Sequence, residues 1–278
     1  MSSAYLLISH GSRDPRPQRA MEQLTNLVRT QLGERDAKWR LNADRDRASL
    51  LPYTSDWEAL QAEGKTAPAR VVSRARYPLV GTATLELAPI PLHEQIWQFA
   101  SRVREAGCNQ LQLLPIFLLP GVHVRDDIPQ EVALANQSLD RAVVLKHRPY
   151  LGSHPGLARM LASQLATVDA NAKILLSHGT RRSGGNESVE AVARQLGAEV
   201  AYWSMQPTLE EQITTLAAAG CKQIGILPYF LFSGGITDAI AQTVSSLQAQ
   251  LPTVELKLTE PIGASTQLAD LIVDLIEQ

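Results

Sequence analysis

The chain has 278 residues, of which 45% are apolar and 19% are charged, and its formal net charge is −2. This length allows one large or two ordinary domains, and the balanced charge argues against a chain dominated by nucleic-acid or membrane electrostatics. No apolar run approaches 18 residues and no signal-peptide pattern opens the sequence, so we expect a cytoplasmic protein without membrane spans.

Short apolar runs alternate with amphipathic stretches along the first half of the chain. In chain order we interpret them as strand Tyr5–Ile8, helix Pro17–Leu32, helix Leu92–Glu105, strand Gln110–Leu114, helix Asp127–Asn136 and strand Val143–Leu145. A further apolar run that begins at Val80 is expected to form a buried strand. Strands that alternate with helices predict parallel sheets flanked by helices, an α/β fold.

The second half of the chain repeats the first. Ser9–Arg13 (Ser-His-Gly-Ser-Arg) recurs as Ser177–Arg181 (Ser-His-Gly-Thr-Arg), and Ala106-Gly107-Cys108 recurs as Ala219-Gly220-Cys221. The offset between the copies falls from 168 residues at His10 and His178 to 113 at the cysteines, which places an insertion at about Glu34–Tyr77 of the first copy. We therefore predict two similar domains, residues 1–168 and a degenerate repeat at residues 169–278.

Two histidines follow predicted strands of the first copy. His10 stands directly after the first strand and before Gly11, and His123 lies in the loop after the strand that starts at Gln110. Because ligands bind at the carboxyl ends of parallel strands, both histidines are expected at one rim of the sheet. Either histidine alone is equally well interpreted as structural.

Comparison of the two copies favours a functional interpretation. The second copy keeps His178, which we interpret as structural or vestigial, but Ile236 stands where the first copy has His123. A histidine needed only for the fold should be needed in both copies. The asymmetry therefore predicts a site in the first half.

A third candidate is Glu86, which interrupts the apolar run from Val80 and has its approximate counterpart at Trp203. An unpaired carboxylate in a buried strand is costly, although a carboxylate at a strand end can simply face water. Two histidines and a glutamate suit Fe²⁺, Co²⁺, Ni²⁺ or Zn²⁺. The same groups could equally accept protons from a substrate.

Three segments resemble the sirohydrochlorin chelatases of the class II, CbiX/SirB type: Leu6–Pro15, Leu85–Pro89 and Leu114–Pro129. The resemblance implies a lyase that inserts a divalent metal into sirohydrochlorin without ATP, on a chelatase-like fold shared with ferrochelatases. It implies that His10 and His123 hold the incoming ion and that Glu86 assists in metal delivery or proton removal.

Sirohydrochlorin carries eight carboxylates, and arginines beside the two histidines could pair with them. Arg13 and Arg125 are predicted to bind substrate together with Ser9 and Ser12, although the two arginines could also be solvated surface charges. We expect no permanently bound cofactor, since the sequence has no Cys-x-x-Cys motif. The expected partners are sirohydrochlorin and the metal ion, with no nucleic acid and no membrane, and a monomer is expected because a duplicated chain can replace a homodimer.

Several alternatives remain open at the level of sequence. Fe²⁺, which leads to sirohaem, is favoured over Co²⁺, which leads towards cobalamin and would make the protein a cobaltochelatase. A histidine phosphatase is a competing enzyme class, but Ser9 stands where such an enzyme has an arginine before its nucleophilic histidine. A non-catalytic metal or tetrapyrrole carrier would need the same ligands without turnover.

Overall fold

A computed structural model describes residues 3–49, 78–139 and 143–277, without the side chains of residues 38–49. These residues form two four-stranded parallel sheets, each flanked by helices, as the alternating sequence pattern predicts. Most of the predicted insertion, residues 50–77, lies outside the described residues. Within the described ranges, no helix is both long and apolar enough to span a bilayer.

The first lobe is built on the sheet of strands β1–β4, in the order β2-β1-β3-β4. Its elements, in chain order, are β1 (Ser3–Ser9), α1 (Pro15–Ser49), β2 (Val80–Thr84), α2 (Leu92–Glu105), β3 (Gln110–Pro115), a π-helical turn (His123–Asp127), α3 (Ile128–Ser138), β4 (Val144–His147), a 3-10 turn (Leu151–Ser153) and α4 (Leu157–Leu165). Tyr5 pairs with Val80 on one side and with Gln112 on the other.

The second lobe repeats this arrangement with the order β6-β5-β7-β8. Its elements are β5 (Ala172–Ser177), α5 (Glu187–Leu196), β6 (Glu199–Tyr202), α6 (Leu209–Ala218), β7 (Gln223–Pro228), α7 (Gly235–Gln250), β8 (Glu255–Leu258) and α8 (Thr266–Glu277). Equal strand order in the two halves agrees with the internal repeat of the sequence.

Alternate residues of β1 serve two different hydrophobic cores. Leu6 and Ile8 face α2 and α3, where they pack with Ile96 and Ile128. Leu7 points to the opposite face of the sheet and joins a core that both lobes share. β1 is apolar throughout because it is covered on both faces, as is typical of parallel sheets.

The shared core is completed by an exchange of C-terminal helices between the halves. Helix α8, which ends the second half, packs against α1 of the first, and α4, which ends the first half, packs against α5 of the second. The guanidinium of Arg35 in α1 contacts Asp274 (3.0 Å) and Glu277 (2.6 Å) in α8. The predicted division near residue 168 follows the sequence repeat. The shared core contains residues from both sides of this division.

Helix α1 is longer than the predicted Pro17–Leu32. It continues to Ser49 and so includes the beginning of the segment Glu34–Tyr77 that we interpreted as a weakly periodic surface insertion. The helix therefore continues beyond the end of its apolar periodicity, and the insertion itself stays a prediction.

Candidate active site

Three predicted ligands meet at the carboxyl edge of the first sheet. His10 follows β1, Glu86 lies two residues beyond the end of β2, and His123 opens the π-helical turn after β3. The expectation that Glu86 lies within a buried strand was wrong, because β2 ends at Thr84 and the Glu86 side chain is half-exposed. The alternative, a carboxylate at a strand end, describes its position.

The three side chains are close enough to share one ion. His10 Nδ1 lies 3.9 Å from Glu86 Oε2, and His123 Nε2 lies 4.0 Å from Glu86 Oε1. The two imidazole rings meet edge-on with centroids 4.7 Å apart. One donor atom from each residue lies within 4.8 Å of the others, and this is the one such group of three metal-ligating side chains found among the described residues.

Gly11 allows the Glu86 segment to approach His10. The backbone N–H of Glu86 donates to the carbonyl oxygen of His10 (2.9 Å). Gly11 has a φ of +103°, and a Cβ at this position would lie 2.1 Å from the carbonyl oxygen of Glu86. Glycine is therefore required here both by conformation and by space.

Asp127, which the sequence interpretation missed as a site residue, orients His123. Its carboxylate oxygen Oδ2 lies 2.7 Å from His123 Nδ1, one π-turn later in the chain. A carboxylate accepts a hydrogen bond from Nδ1–H, which leaves Nε2 unprotonated and available as a ligand atom. The signal in the sequence was the i, i+4 spacing of His and Asp at a helix start.

The Phe117 ring lies beside both imidazoles. Its ring centroid lies 6.2 Å from that of His10 and 6.1 Å from that of His123. Nothing in the sequence distinguishes this phenylalanine from an ordinary core residue.

The three predicted ligands lie on the wall of a cavity of about 940 Å³ between the lobes. Ser9 and Ser12 line the cavity, whereas Arg13 and Arg125 lie outside its wall and are exposed. Among the described residues, no lysine or arginine lines it. Much of the wall is apolar and comes from both lobes, including Met21, Ile116, Phe117, Tyr229, Phe230 and Phe232.

The second lobe contributes His178 to the lining of the same cavity, but the ring of His178 contacts a neighbouring backbone carbonyl. His178 Nδ1 lies 3.0 Å from the carbonyl oxygen of Gly179. Ile236, which also lines the cavity, supplies no ligand atom at the position of His123.

The counterpart of Glu86 is Ser204, not Trp203. The Trp203 and Ser204 N–H groups donate to the carbonyls of Ser177 (2.9 Å) and His178 (3.0 Å), as those of Leu85 and Glu86 do to Ser9 and His10. The sequence comparison, which matched Glu86 with Trp203, was therefore wrong by one residue. The segments that precede Glu86 and Ser204 share no motif that would fix their alignment. The Ser204 hydroxyl donates to the His178 carbonyl (2.9 Å), so it does not replace the missing carboxylate.

An ion-pair clasp joins the lobes on one side of the cavity. Arg16, at the start of α1, donates from Nη1 (2.9 Å) and Nη2 (2.6 Å) to the two carboxylate oxygens of Asp238 at the start of α7. The same guanidinium binds Asp14. These contacts with Arg16 hold the pKa of both carboxyls below the ordinary value of an aspartate.

These features define a class of protein: a two-lobed α/β fold with a His/His/Glu cluster at the cleft. The family model described as CbiX matches residues 54–168 and 172–278. The chain belongs to the CbiX family, as its sequence motifs indicate.

Two curated relatives come from Priestia megaterium. A sirohydrochlorin cobaltochelatase is 24% identical over 188 residues, which cover 62% of this chain and 61% of the relative. A sirohydrochlorin ferrochelatase is 24% identical over 156 residues, which cover 51% of this chain and 58% of the relative. The matches thus span about three-fifths of the length of these relatives.

Two solved structures share the fold. The sirohydrochlorin chelatase SirB from Bacillus subtilis subspecies spizizenii, in complex with cobalt, aligns with a TM-score of 0.64 and 18% identity over 100% of this chain and 94% of that one. SirB from Bacillus subtilis with Fe³⁺ aligns with a TM-score of 0.67 and 17% identity, over 100% and 95% of the two chains. The chelatase-like fold expected from the sequence is confirmed.

Proposed function

We propose that the protein is a sirohydrochlorin chelatase that inserts a divalent metal, with Fe²⁺ favoured, into sirohydrochlorin without ATP. The observation that carries the proposal is the convergence of His10, Glu86 and His123 on one wall of an interlobe cavity. The names of two curated relatives, a cobaltochelatase and a ferrochelatase, support the same reaction with either metal.

The donor set suits a metal ion that must be bound and then released. Protein ligands lie about 2.0–2.2 Å from a bound borderline ion, so the separations of 3.9 and 4.0 Å require only small side-chain movements. His10, Glu86 and His123 are all partly accessible to solvent, which allows a hydrated ion to exchange its water for these ligands. In this proposal the ion is a substrate and not a resident cofactor.

The cavity suits a ligand with a large apolar body and a charged periphery. Its volume of about 940 Å³ lies at the upper end of the usual range for small-molecule sites. Phe117, Phe230 and Phe232 would contact the plane of a macrocycle, and the carboxylates would extend to the rim, where Arg13 and Arg125 are exposed. Ser9 and Ser12 would contact the substrate from the wall.

Insertion replaces two pyrrole N–H bonds by bonds to the metal, so two protons must leave the ring. The Glu86 carboxylate, half-exposed beside the cavity, can accept a proton and pass it to water. Each proton reaches the solvent by such a transfer, and no other co-reactant is consumed.

We further propose that the protein acts as a cytoplasmic monomer without a permanently bound cofactor, and that the repeat units at residues 1–168 and 169–278 are its domains.

A metal or tetrapyrrole carrier is the second candidate, since a carrier would use the same ligands. It differs from an enzyme in forming at most one product molecule per protein molecule.

The test is anaerobic insertion of Fe²⁺ or Co²⁺ into sirohydrochlorin, followed by absorbance. Wild type should form product in excess of protein, and His10→Ala and His123→Ala should each lose activity by about 100-fold or more. His93→Ala is the matched control, because His93 pairs with Glu131 (2.8 Å) and does not line the cavity. Product limited to one equivalent would favour the carrier, and full activity of both site variants would contradict the proposed ligands.

A further inference from the structure

We propose that Arg125 and Arg182 together bind one carboxylate of the substrate at the side of the cleft opposite the Arg16 clasp, where the substrate enters. This inference rests on the proposed function for the identity of the substrate and adds a binding site to it.

The lobes are related by an approximate two-fold axis. Helix α1 is the counterpart of α5, since each follows the first strand of its lobe, and α4 is the counterpart of α8. Helix α8 packs on α1, and α4 packs on α5, so the contacts between halves are reciprocal. Reciprocal contacts are typical of a two-fold interface. In such an interface, each pair of positions in contact between the lobes has an equivalent pair on the other side of the axis.

Hydrogen bonds identify the residues that match the two aspartates of the clasp. The N–H of Asp14 donates to the Ser12 hydroxyl (3.1 Å), and the N–H of Arg182 donates to the Thr180 hydroxyl (3.3 Å). Arg182 therefore occupies in the second lobe the position that Asp14 has in the first.

The same comparison identifies the partner of Arg182. The N–H of Asp238 donates to the Gly234 carbonyl (3.0 Å), and the N–H of Arg125 donates to the Gly121 carbonyl (3.0 Å). Arg125 therefore occupies in the first lobe the position that Asp238 has in the second.

The charges of the two sides are reversed. On the clasped side, one guanidinium lies between Asp14 and Asp238. On the other side, the same two positions hold Arg182 and Arg125, and the counterpart of Arg16 in the repeat is Gly184, which has no side chain. By the approximate two-fold symmetry, the two arginines are inferred to lie across the cleft from each other. Two neighbouring guanidiniums repel unless an anion lies between them, and a carboxylate pairs with guanidinium in a bidentate geometry.

Among the described residues, the unclasped side is also the less crowded one. A Cβ built on Gly234 would lie 3.7 Å from Pro17 Cγ and 3.8 Å from Asp14 Oδ2, whereas a Cβ on Gly121 would meet no atom of the described part of the chain within 4 Å. Arg125 and Arg182 are both exposed, and neither has an ion pair within the described part of the chain. A carboxylated macrocycle can therefore enter on this side and find two unpaired cations at the rim.

The experiment measures the dissociation constant of metal-free sirohydrochlorin by absorbance titration. Arg182→Ala and Arg125→Ala should each weaken binding about tenfold, and the charge reversal Arg182→Glu should weaken it further. The double alanine variant should lose less than the product of the single losses, because both arginines bind one carboxylate. Arg194→Ala, an exposed arginine in the last turn of α5, is the matched control and should bind as wild type does.

Each result decides between specific alternatives. Wild-type affinity in Arg182→Ala would overturn the inference, and fully multiplicative losses would show that the arginines do not share a carboxylate. Weakened binding by Arg182→Ala in a protein that never inserts metal would support the binding site while contradicting the proposed function. A wild-type protein that binds neither sirohydrochlorin nor uroporphyrin, a second octacarboxylate tetrapyrrole, would overturn both.

Discussion

At the scale of single residues, Asp127 determines which nitrogen of His123 faces Glu86. The 2.7 Å contact places the carboxylate at Nδ1, so Nε2 is left as the donor atom that lies 4.0 Å from Glu86. An imidazole without this partner can rotate and can protonate at either nitrogen. We therefore propose Asp127 as a positioning residue for the proposed metal ligand His123.

We expect Asp127→Ala to weaken Co²⁺ binding about 10- to 100-fold, the usual effect of removing a partner of a metal-bound histidine. Titration of the Co²⁺ absorption bands measures the affinity, and nitrogen chemical shifts of His123 report its tautomer. Asp127→Asn retains an acceptor oxygen and should recover part of the affinity. Asp126→Ala is the control, because Asp126 is an exposed carboxylate in the same turn. Equal losses at Asp126 and Asp127 would show that the effect is only one of net charge.

At the scale of elements, the turn after β1 fixes the distance between two proposed ligands, His10 and Glu86. We expect Gly11→Ala to displace Glu86 from His10, because its Cβ would lie 2.1 Å from a backbone oxygen in a left-handed conformation. The variant should lose about 1–3 kcal/mol of stability and bind Co²⁺ at least about tenfold more weakly.

Gly179→Ala provides the matched comparison in the second lobe. Gly179 also has a positive φ, +78°, and its Cβ would come within 2.9 Å of the side chains of Tyr202 and Met205. Denaturant unfolding should detect a loss of stability in both variants, whereas only Gly11→Ala should change metal affinity. A change in affinity at Gly179 would argue that the second lobe also takes part in metal binding.

The sequence predicted elements where apolar patterning determines them. The strands, the repeated order and the proximity of His10 to His123 follow from buried apolar runs and from parallel topology. The end of α1 was missed because residues 34–49 are rich in charged residues and alanine, which favour helix without producing an apolar face. The counterpart Ser204 was missed because a register in a sheet is set by backbone pairing that no local motif records.

At the scale of the whole molecule, the exchange of α4 and α8 joins the stability of the two lobes. The sequence shows which helices exist but not which sheet each one covers, so this exchange could not be predicted. The shared core contains Leu7 of the first sheet, Leu175 of the second and Ile272 of α8, all fully buried. We infer that the lobes unfold together.

We therefore expect a single unfolding transition in denaturant, monitored by circular dichroism and by tryptophan fluorescence. Ile272→Ala should lower the free energy of unfolding by about 2–5 kcal/mol and should shift both signals equally. Val103→Ala, a buried position in the separate core of the first lobe, is the comparison and should also leave the transition single. Two separated transitions in either variant would contradict coupled unfolding.

The two lobes supply different side chains to the cleft, and this difference has a stereochemical consequence. His10, Glu86 and His123 belong to one lobe. The matching positions of the other lobe hold His178, Ser204 and Ile236, of which His178 and Ile236 line the cavity. A flat ring seated between the lobes thus meets a full set of donor atoms on one face only. A tetrapyrrole whose two faces differ would be metallated from a single face, and the orientation in which it is seated decides which one.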